Sequence, residues 1–237
     1  MAVASIIIYN VSKLFQQNGA GGKNYIQKRA PMAAMKDKII TVAVDLFFKK
    51  GYFATSISEI ARGCGIQKAS IYYHFPCKED LLMAIMTTTM ADLTAGLESG
   101  VAAVADIEAQ MRAAVRNHIR FHLERQKETF IASCELRGLS PDNYMAVVAL
   151  RDAYERTFQE LICSGMNQGV FAPNDMKVLS YAVLTLCTAG ATWYRSDGRL
   201  AVNEIVAIYE TFVINGLKHG GRTMARPAEL ACEPWPI

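Results

Sequence analysis

The stretch that decides the fold is Gly51–Leu82, which reads GYFATSISEIARGCGIQKASIYYHFPCKEDLL. Ser56 and Glu59 have the spacing of a capping box, in which each side chain binds the other residue's backbone N–H at a helix start. Gly65 can adopt the positive φ that a tight turn between two helices demands. The stretch predicts two short helices that cross at a steep angle, over about Ser56–Gly63 and Gln67–His74.

The outer face of the second short helix carries hydrogen-bonding groups. The side chains concerned are those of Gln67, Lys68, Ser70, Tyr73 and His74. A single α-helix fits the major groove of DNA, where such groups meet base edges. The pair of helices therefore predicts a helix-turn-helix that reads DNA.

Helical periodicity dominates the rest of the chain, and no alternating strand pattern is long enough to indicate a sheet. We therefore expect an all-α protein of about nine helices. The other seven are expected from about Lys36 to Lys50, Lys78–Leu97, Ile107–Arg125, Thr129–Leu139, Asn143–Gln168, Asp175–Tyr194 and Val202–Leu217.

Charge is distributed unevenly along the 237 residues, although the net charge is only +3. Residues 1–35 carry +4, residues 36–80 carry +2 and residues 81–237 carry −3. Basic residues neutralise phosphates, so the N-terminal third is the part expected to meet DNA.

The same stretch resembles the DNA-binding domain of the TetR family of transcriptional regulators, and the match extends over about 45 residues. Two departures are visible: Gln67 and Cys77 stand where the family usually has Ser or another good N-cap, so we expect weaker capping there. The matching residues are Gly51, Thr55, Ile60–Ala61, Gly65–Ile66, Ile71–Tyr72–Tyr73–His74–Phe75 and Lys78–Glu79–Asp80–Leu81.

The resemblance implies roles for the matching residues and a double-stranded DNA operator as partner. Four residues are expected to contact phosphates: Thr55, Tyr73, His74 and Lys78. Four occupy the base-reading positions: Gln67, Lys68, Ala69 and Ser70. Tyr72 and Phe75 are expected in the core, where they would hold the recognition helix against its neighbours.

We call the predicted helix-turn-helix domain the head. The domain that follows it resembles the family only in its general helical layout. The last two predicted helices are more apolar than one monomer surface requires, which predicts a homodimer joined through four helices. The alternative is an ordinary core within one chain. A dimer would place two recognition helices about one DNA turn apart and so read a palindrome.

An effector pocket for a small hydrophobic or aromatic molecule is expected in this second domain. Trp193–Leu200 resembles a branch of the family that answers to coenzyme A thioesters, so Arg195 and Arg199 could meet phosphates. The alternatives are an aromatic core stripe and arginines that cap a helix. The candidate ligand residues are His118, Phe121, His122, Tyr154, Phe158, Trp193 and Arg195.

The expected organisation has four parts. Residues 1–34 form a disordered or dispensable extension (a DNA-touching arm is the alternative), 35–82 the helix-turn-helix domain, 83–220 the ligand-binding and dimerisation domain and 221–237 a flexible tail. No hydrophobic run is long enough to span a membrane, so we expect a cytoplasmic protein.

The function predicted from these features is a ligand-released repressor. An activator and a ligand-independent regulator are the alternatives. An enzyme is not expected: His118 and His122 lack the following acid of a zinc-protease pattern, and no nucleophile or nucleotide fingerprint occurs. No metal or cofactor is expected.

Overall fold

The computed structural model describes residues 26–220, with side chains from residue 34 onward. Over this range it is helical, with nine α-helices and no strand, which confirms the all-α prediction. Most of the expected extension and all of the expected tail 221–237 lie outside the described residues. Within the described range no helix has both the length and the apolar character of a membrane span.

The nine helices are numbered in chain order. A single 3₁₀ turn, Leu136–Gly138, separates the sixth from the seventh. The helices are α1 Ile26–Lys50, α2 Ile57–Cys64, α3 Lys68–His74, α4 Lys78–Ala102, α5 Ile107–Glu124, α6 Gln126–Cys134, α7 Pro141–Asn167, α8 Met176–Trp193 and α9 Val202–His219.

Three helices have a boundary that differs from the prediction by more than two residues. α1 begins at Ile26 and so includes nine residues assigned to the extension. α4 continues past Leu97 to Ala102, and Gly96 within it faces α5 closely, since a Cβ there would clash with Asn117 Oδ1. The predicted helix over Thr129–Leu139 is instead α6 followed by the 3₁₀ turn.

Two hydrophobic cores divide the molecule. The first joins α1, α2 and α3 to the start of α4 and includes Phe47, Ile60 and Ile71. It also takes in Ile131 and Val147 from α6 and α7, so the head packs on residues far outside 35–82. The second core surrounds α5, which packs against α4, α7, α8 and α9.

Local chemistry explains the helix ends of the head. The Ser56–Glu59 capping box forms as predicted, with Glu59 Oε2 accepting from Ser56 N at 2.9 Å. Gly65 ends α2 in the left-handed conformation at φ 69°, where a side chain would be strained. These two features set the angle at which α3 leaves α2.

The expectation of a poor cap at Cys77 was wrong. The Cys77 sulfur accepts from Asp80 N at 3.4 Å, and Asp80 Oδ2 accepts from Cys77 N at 3.0 Å, so both groups of a capping box are present. Gln67, by contrast, makes no side-chain cap hydrogen bond, as predicted.

Candidate DNA-reading face and effector core

The outer face of α3 is open to solvent. Gln67, Lys68, Ala69 and Ser70 are all exposed at its N-terminal end. Tyr73 is 72% exposed one turn later, and its ring meets that of His74 edge-on. Ile71 and Phe75 on the opposite side are buried and hold the helix against the head. The polar groups on this face are therefore accessible to a ligand while the head stays folded.

Tyr72 corrects one expectation, because it does not belong to the core. Its side chain is 42% exposed, and the Lys68 ammonium lies 5.7 Å from the centre of its ring. On a short helix with Ile71 facing directly inward, the next residue turns about 100° away from that direction. The sequence pattern could not distinguish this edge position from a buried one.

Thr55 and Lys78 lie behind the loop that leads into α2. Thr55 is 1% exposed, and its hydroxyl donates to the carbonyl of Gly51 at 2.9 Å. Lys78 Nζ donates to the carbonyls of Tyr52 and Thr55 at 2.8 and 2.9 Å. Both side chains stabilise the loop through these hydrogen bonds. Contact between either side chain and a phosphate stays a prediction.

Four of the seven predicted effector residues meet in the second core. His118 Nδ1 lies 3.0 Å from the Tyr154 hydroxyl oxygen, and His118 Nε2 lies 3.0 Å from the Thr188 hydroxyl oxygen. His122 stacks on His118 with ring centres 4.2 Å apart. Phe158 is fully buried at the edge of the group. We name His118, His122, Tyr154 and Phe158 the histidine cluster.

Burial shifts the titratable groups of the histidine cluster toward their neutral forms. Burial, with a smaller contribution from the neighbouring His122, holds the pKa of His118 well below its usual range. Burial also lowers the pKa of His122 and raises the pKa of Tyr154. Thr188, which completes the hydrogen bonding, lay outside the predicted set because nothing in the apolar pattern of α8 distinguishes it.

Of the other three predicted effector residues, Phe121 borders the histidine cluster, with its ring edge-on to that of His122 at 6.3 Å between centres, whereas Trp193 and Arg195 lie away from it. Phe121 is half-buried beneath the guanidinium of Arg125, 4.9 Å from its ring centre. Trp193 is exposed at the end of α8 and stacks on Tyr209. Arg195 is exposed in the next loop and pairs with Asp197 at 2.9 Å. The structure therefore brings together five of the seven predicted residues, and Trp193 and Arg195 are not among them.

Two open clefts occur elsewhere on the surface. One of about 500 Å³ lies between the end of α4 and α5 and is lined by Arg112, Arg116 and Arg120. The other, of about 550 Å³, separates the head from the second domain and includes Asp37, Thr41 and Gln126. Neither is lined by the histidine cluster.

An apolar face is left uncovered on α8 and α9. Val178, Tyr181 and Leu186 on α8 are exposed, and Ile208 and Phe212 on α9 are exposed to 55% and 66%. Other apolar residues of these helices, such as Val183 on α8 and Val213 on α9, are buried within the chain. Each helix therefore has one face for its own core and another without a partner in the described chain.

Known proteins with this arrangement are bacterial regulators. Residues 39–85 match the family model described as bacterial regulatory proteins, tetR family. Residues 104–217 match the model described as tetracyclin repressor-like, C-terminal domain. The HTH-type transcriptional repressor KstR2 of Rhodococcus jostii RHA1 is 23% identical over 77% of this chain and 90% of its own length.

Solved structures of similar proteins share the fold over most of the chain. The TetR family regulator PfmR from Thermus thermophilus is 32% identical with a TM-score of 0.70 and covers 76% of this chain and 98% of its own. AibR, solved in complex with isovaleryl coenzyme A and operator DNA, is 28% identical with a TM-score of 0.70 and covers 75% and 97%. With its helix-turn-helix, its helical second domain and these matches, the chain belongs to the TetR family of transcriptional regulators.

Proposed function

We propose that this protein is a repressor that acts in the cytoplasm as a homodimer on a palindromic operator. A small hydrophobic molecule or an acyl coenzyme A releases it from DNA. Operator occupancy blocks transcription, and the effector shifts the two heads to a spacing that no longer fits the duplex.

The observation that carries this proposal is the exposed polar face of α3 on a firmly packed head. Gln67, Lys68, Ala69 and Ser70 are at the end of the helix that would enter the major groove, where side chains read base edges. Tyr73 and His74, one turn on, would contact phosphates at the groove's rim. Thr55 and Lys78 contribute by keeping the loop before α2 in place.

The homodimer is supported by the uncovered apolar face of α8 and α9. Exposed aromatic and aliphatic side chains at this density are costly in water and mark interaction surfaces. A two-fold pairing of the face on itself would bury Phe212 and Ile208 of both copies in one four-helix contact. It would also fix the distance between the two recognition helices.

The effector is proposed to enter at the histidine cluster. His118, Tyr154 and Thr188 supply hydrogen-bonding groups inside an otherwise apolar core, which suits an acyl chain with a polar carbonyl. The AibR complex makes an acyl coenzyme A a specific candidate for this chain. Arg195 and Arg199 beside Trp193 are the exposed cations that its phosphates would meet.

Binding to the DNA that flanks the protein's own gene tests the proposal. A mobility-shift titration with full-length protein should give a retarded band at concentrations at least roughly tenfold below those needed for random DNA of equal length. Equal affinity for both DNAs over a range of salt concentrations would reject the proposal. Native mass spectrometry of the purified protein should reveal the retained effector.

A regulator that needs no effector, or one that activates, is the second candidate. The regulator that needs no effector is favoured by the closed packing of the histidine cluster, where Phe158 is 0% exposed and both His118 nitrogens are engaged. A reporter fused to the neighbouring promoter separates the repressor from the activator. Deleting the regulator's gene raises expression for a repressor and lowers it for an activator.

A further inference from the structure

One segment of the second domain touches both flanks of the helix-turn-helix. Residues 135–143, which we name the junction segment, connect α6 to α7. Glu79, near the start of α4, accepts hydrogen bonds from Ser140 N at 2.7 Å and from Asn143 Nδ2 at 2.6 Å. At its other end the segment reaches the loop between α1 and α2. The recognition helix lies in the chain between these two contacts.

Glu135 makes the second of these contacts from a buried position. Its side chain is 5% exposed, and Oε1 accepts from the backbone N–H of Tyr52 at 3.1 Å. Its Oε2 is buried without a hydrogen-bond partner within the described residues. A carboxylate in such a place costs folding free energy unless its interactions compensate.

Lys78 holds the same loop from the opposite side. Its ammonium donates to the carbonyls of Tyr52 and Thr55 and lies 4.2 Å from the centre of the Tyr52 ring. Burial lowers the pKa of Lys78, and the negative charge of Glu135 opposes that shift. Tyr52 thus has its N–H bound by one charged side chain and its carbonyl bound by another.

The Tyr52 ring fits against a residue that has no side chain. A Cβ added to Gly138 would lie 2.7 Å from two ring carbons of Tyr52 and 3.1 Å from a methyl of Leu82. Such a distance requires the ring or the turn to move. Gly138 is therefore what allows the junction segment to approach the head so closely.

We propose that Glu135 is a positioning residue for DNA recognition: by accepting the Tyr52 N–H it fixes the loop that sets the angle of the helix-turn-helix. The inference deepens the proposed function, because it names the contact through which the second domain controls the head. α7 begins in the junction segment and carries Tyr154 of the histidine cluster 11 residues beyond Asn143. At 1.5 Å per residue, Asn143 and Tyr154 are about 16 Å apart along this one helix.

The test compares four full-length variants with wild type. Glu135→Ala removes the acceptor, whereas Glu135→Gln keeps an oxygen for the Tyr52 N–H. Gly138→Ala displaces the Tyr52 ring without touching Glu135. Lys127→Ala is the control, because it removes another contact between head and second domain, the exposed ion pair with Asp45. Hydrogen exchange of the amides at residues 52–56 is measured in free protein. Operator affinity is calculated from the concentration of protein that is competent to bind DNA, so that misfolded protein does not count.

We expect Glu135→Ala and Gly138→Ala to speed exchange at residues 52–56 at least tenfold and to weaken operator binding at least tenfold. The slope of log Kd against log salt should stay at the wild-type value, since no phosphate contact is lost. Glu135→Gln should stay within threefold of wild type and Lys127→Ala within twofold. These readouts separate positioning from a general loss of folded protein.

Wild-type exchange and affinity in Glu135→Ala would overturn the inference, as would equal losses in Glu135→Gln and Glu135→Ala. If wild-type protein selected no operator, the proposed function would fail by itself. The exchange measurement on free protein would still decide whether Glu135 fixes the loop.

Discussion

Two groups of polar side chains lie in opposite situations in this protein. The outer face of α3 leaves Gln67, Lys68 and Ser70 open to solvent, with their hydrogen-bonding groups facing outward. The histidine cluster instead buries His118 and Tyr154 and satisfies them against each other. The first site is ready to bind before its partner arrives. The second must exchange its own contacts for those of a ligand.

This difference teaches where the free energy for switching must come from. In the proposed function, DNA meets a preformed surface on α3, so binding costs little free energy for rearrangement of the protein. An effector at the histidine cluster has to separate Phe158 and Tyr154 from their neighbours, so it shifts the chain toward another conformation only by its preference for that conformation. The predictions that follow test one or the other half of this comparison.

The largest effect is expected from a charge placed on the uncovered apolar face. Phe212→Glu would bury two carboxylates in the proposed homodimer, so it should yield monomers and weaken operator binding on the order of 100-fold. Sedimentation velocity and a mobility shift measure the two results. Ala153→Glu, which adds the same charge at an exposed position on α7, is the control. A Phe212→Glu protein that stayed dimeric would remove this face from the interface.

Substitution of Tyr73 tests the phosphate contact proposed for the outer face of α3. Tyr73→Ala should weaken binding to every DNA sequence by about tenfold, because a hydrogen bond to a charged group contributes about 1.5 kcal/mol. Fluorescence anisotropy on operator and on random DNA checks this. Tyr73→Phe separates the hydroxyl from the ring. A loss confined to some sequences would mean that Tyr73 reads bases.

Lowering the pH tests the histidine cluster, through the stability of the folded chain. Burial depresses the pKa of His118 in the folded chain, so below the unfolded value of about 6.5 only the unfolded chain takes up that proton. The stability that this histidine provides is therefore complete above about pH 6.5 and declines as the pH falls. Between about pH 7.5 and about pH 5.5 the free energy of unfolding should drop by about 1.4 kcal/mol for this histidine alone.

Urea titrations at the two pH values measure that drop, with His118→Gln as the matched variant. The variant should lose less stability than wild type over the same interval. Identical pH dependence in both proteins would show that the pKa of His118 is the same in the folded and the unfolded chain.

The smallest effect is expected at the ion pair between Lys127 and Asp45. Both side chains are almost half exposed at an N–O distance of 2.5 Å, and exposed pairs contribute little because water screens them. Lys127→Ala should change the free energy of unfolding by less than about 0.5 kcal/mol. Thermal unfolding checks this, and a loss above about 1 kcal/mol would make the pair a real link between the domains.

The head could be predicted from sequence because its determinants are local. Ser56, Glu59 and Gly65 lie within ten residues of one another, and each acts through its own backbone neighbours. Tyr72 shows the limit, because whether a residue on the edge of a short helix is covered depends on packing that a pattern does not contain.

The contacts that join the domains were beyond prediction for a different reason. Glu135 and Tyr52 are 83 positions apart in the chain, and neither residue type signals the other. The same holds for Thr188, which completes the histidine cluster from 70 positions away. Of the seven predicted effector residues, helical spacing grouped those on α5 correctly but could not tell that Trp193 and Arg195 lie outside the core.

Selection of binding sites from random duplex DNA, with wild type and Lys68→Ala side by side, tests the central claim most directly. The claim is that the exposed end of α3 reads base edges. Wild type should enrich a palindrome whose half-sites lie about one turn apart, and Lys68→Ala should lose preference at one base pair in each half-site, by about 1–3 kcal/mol. Enrichment of the same site with the same preferences by both proteins would contradict it.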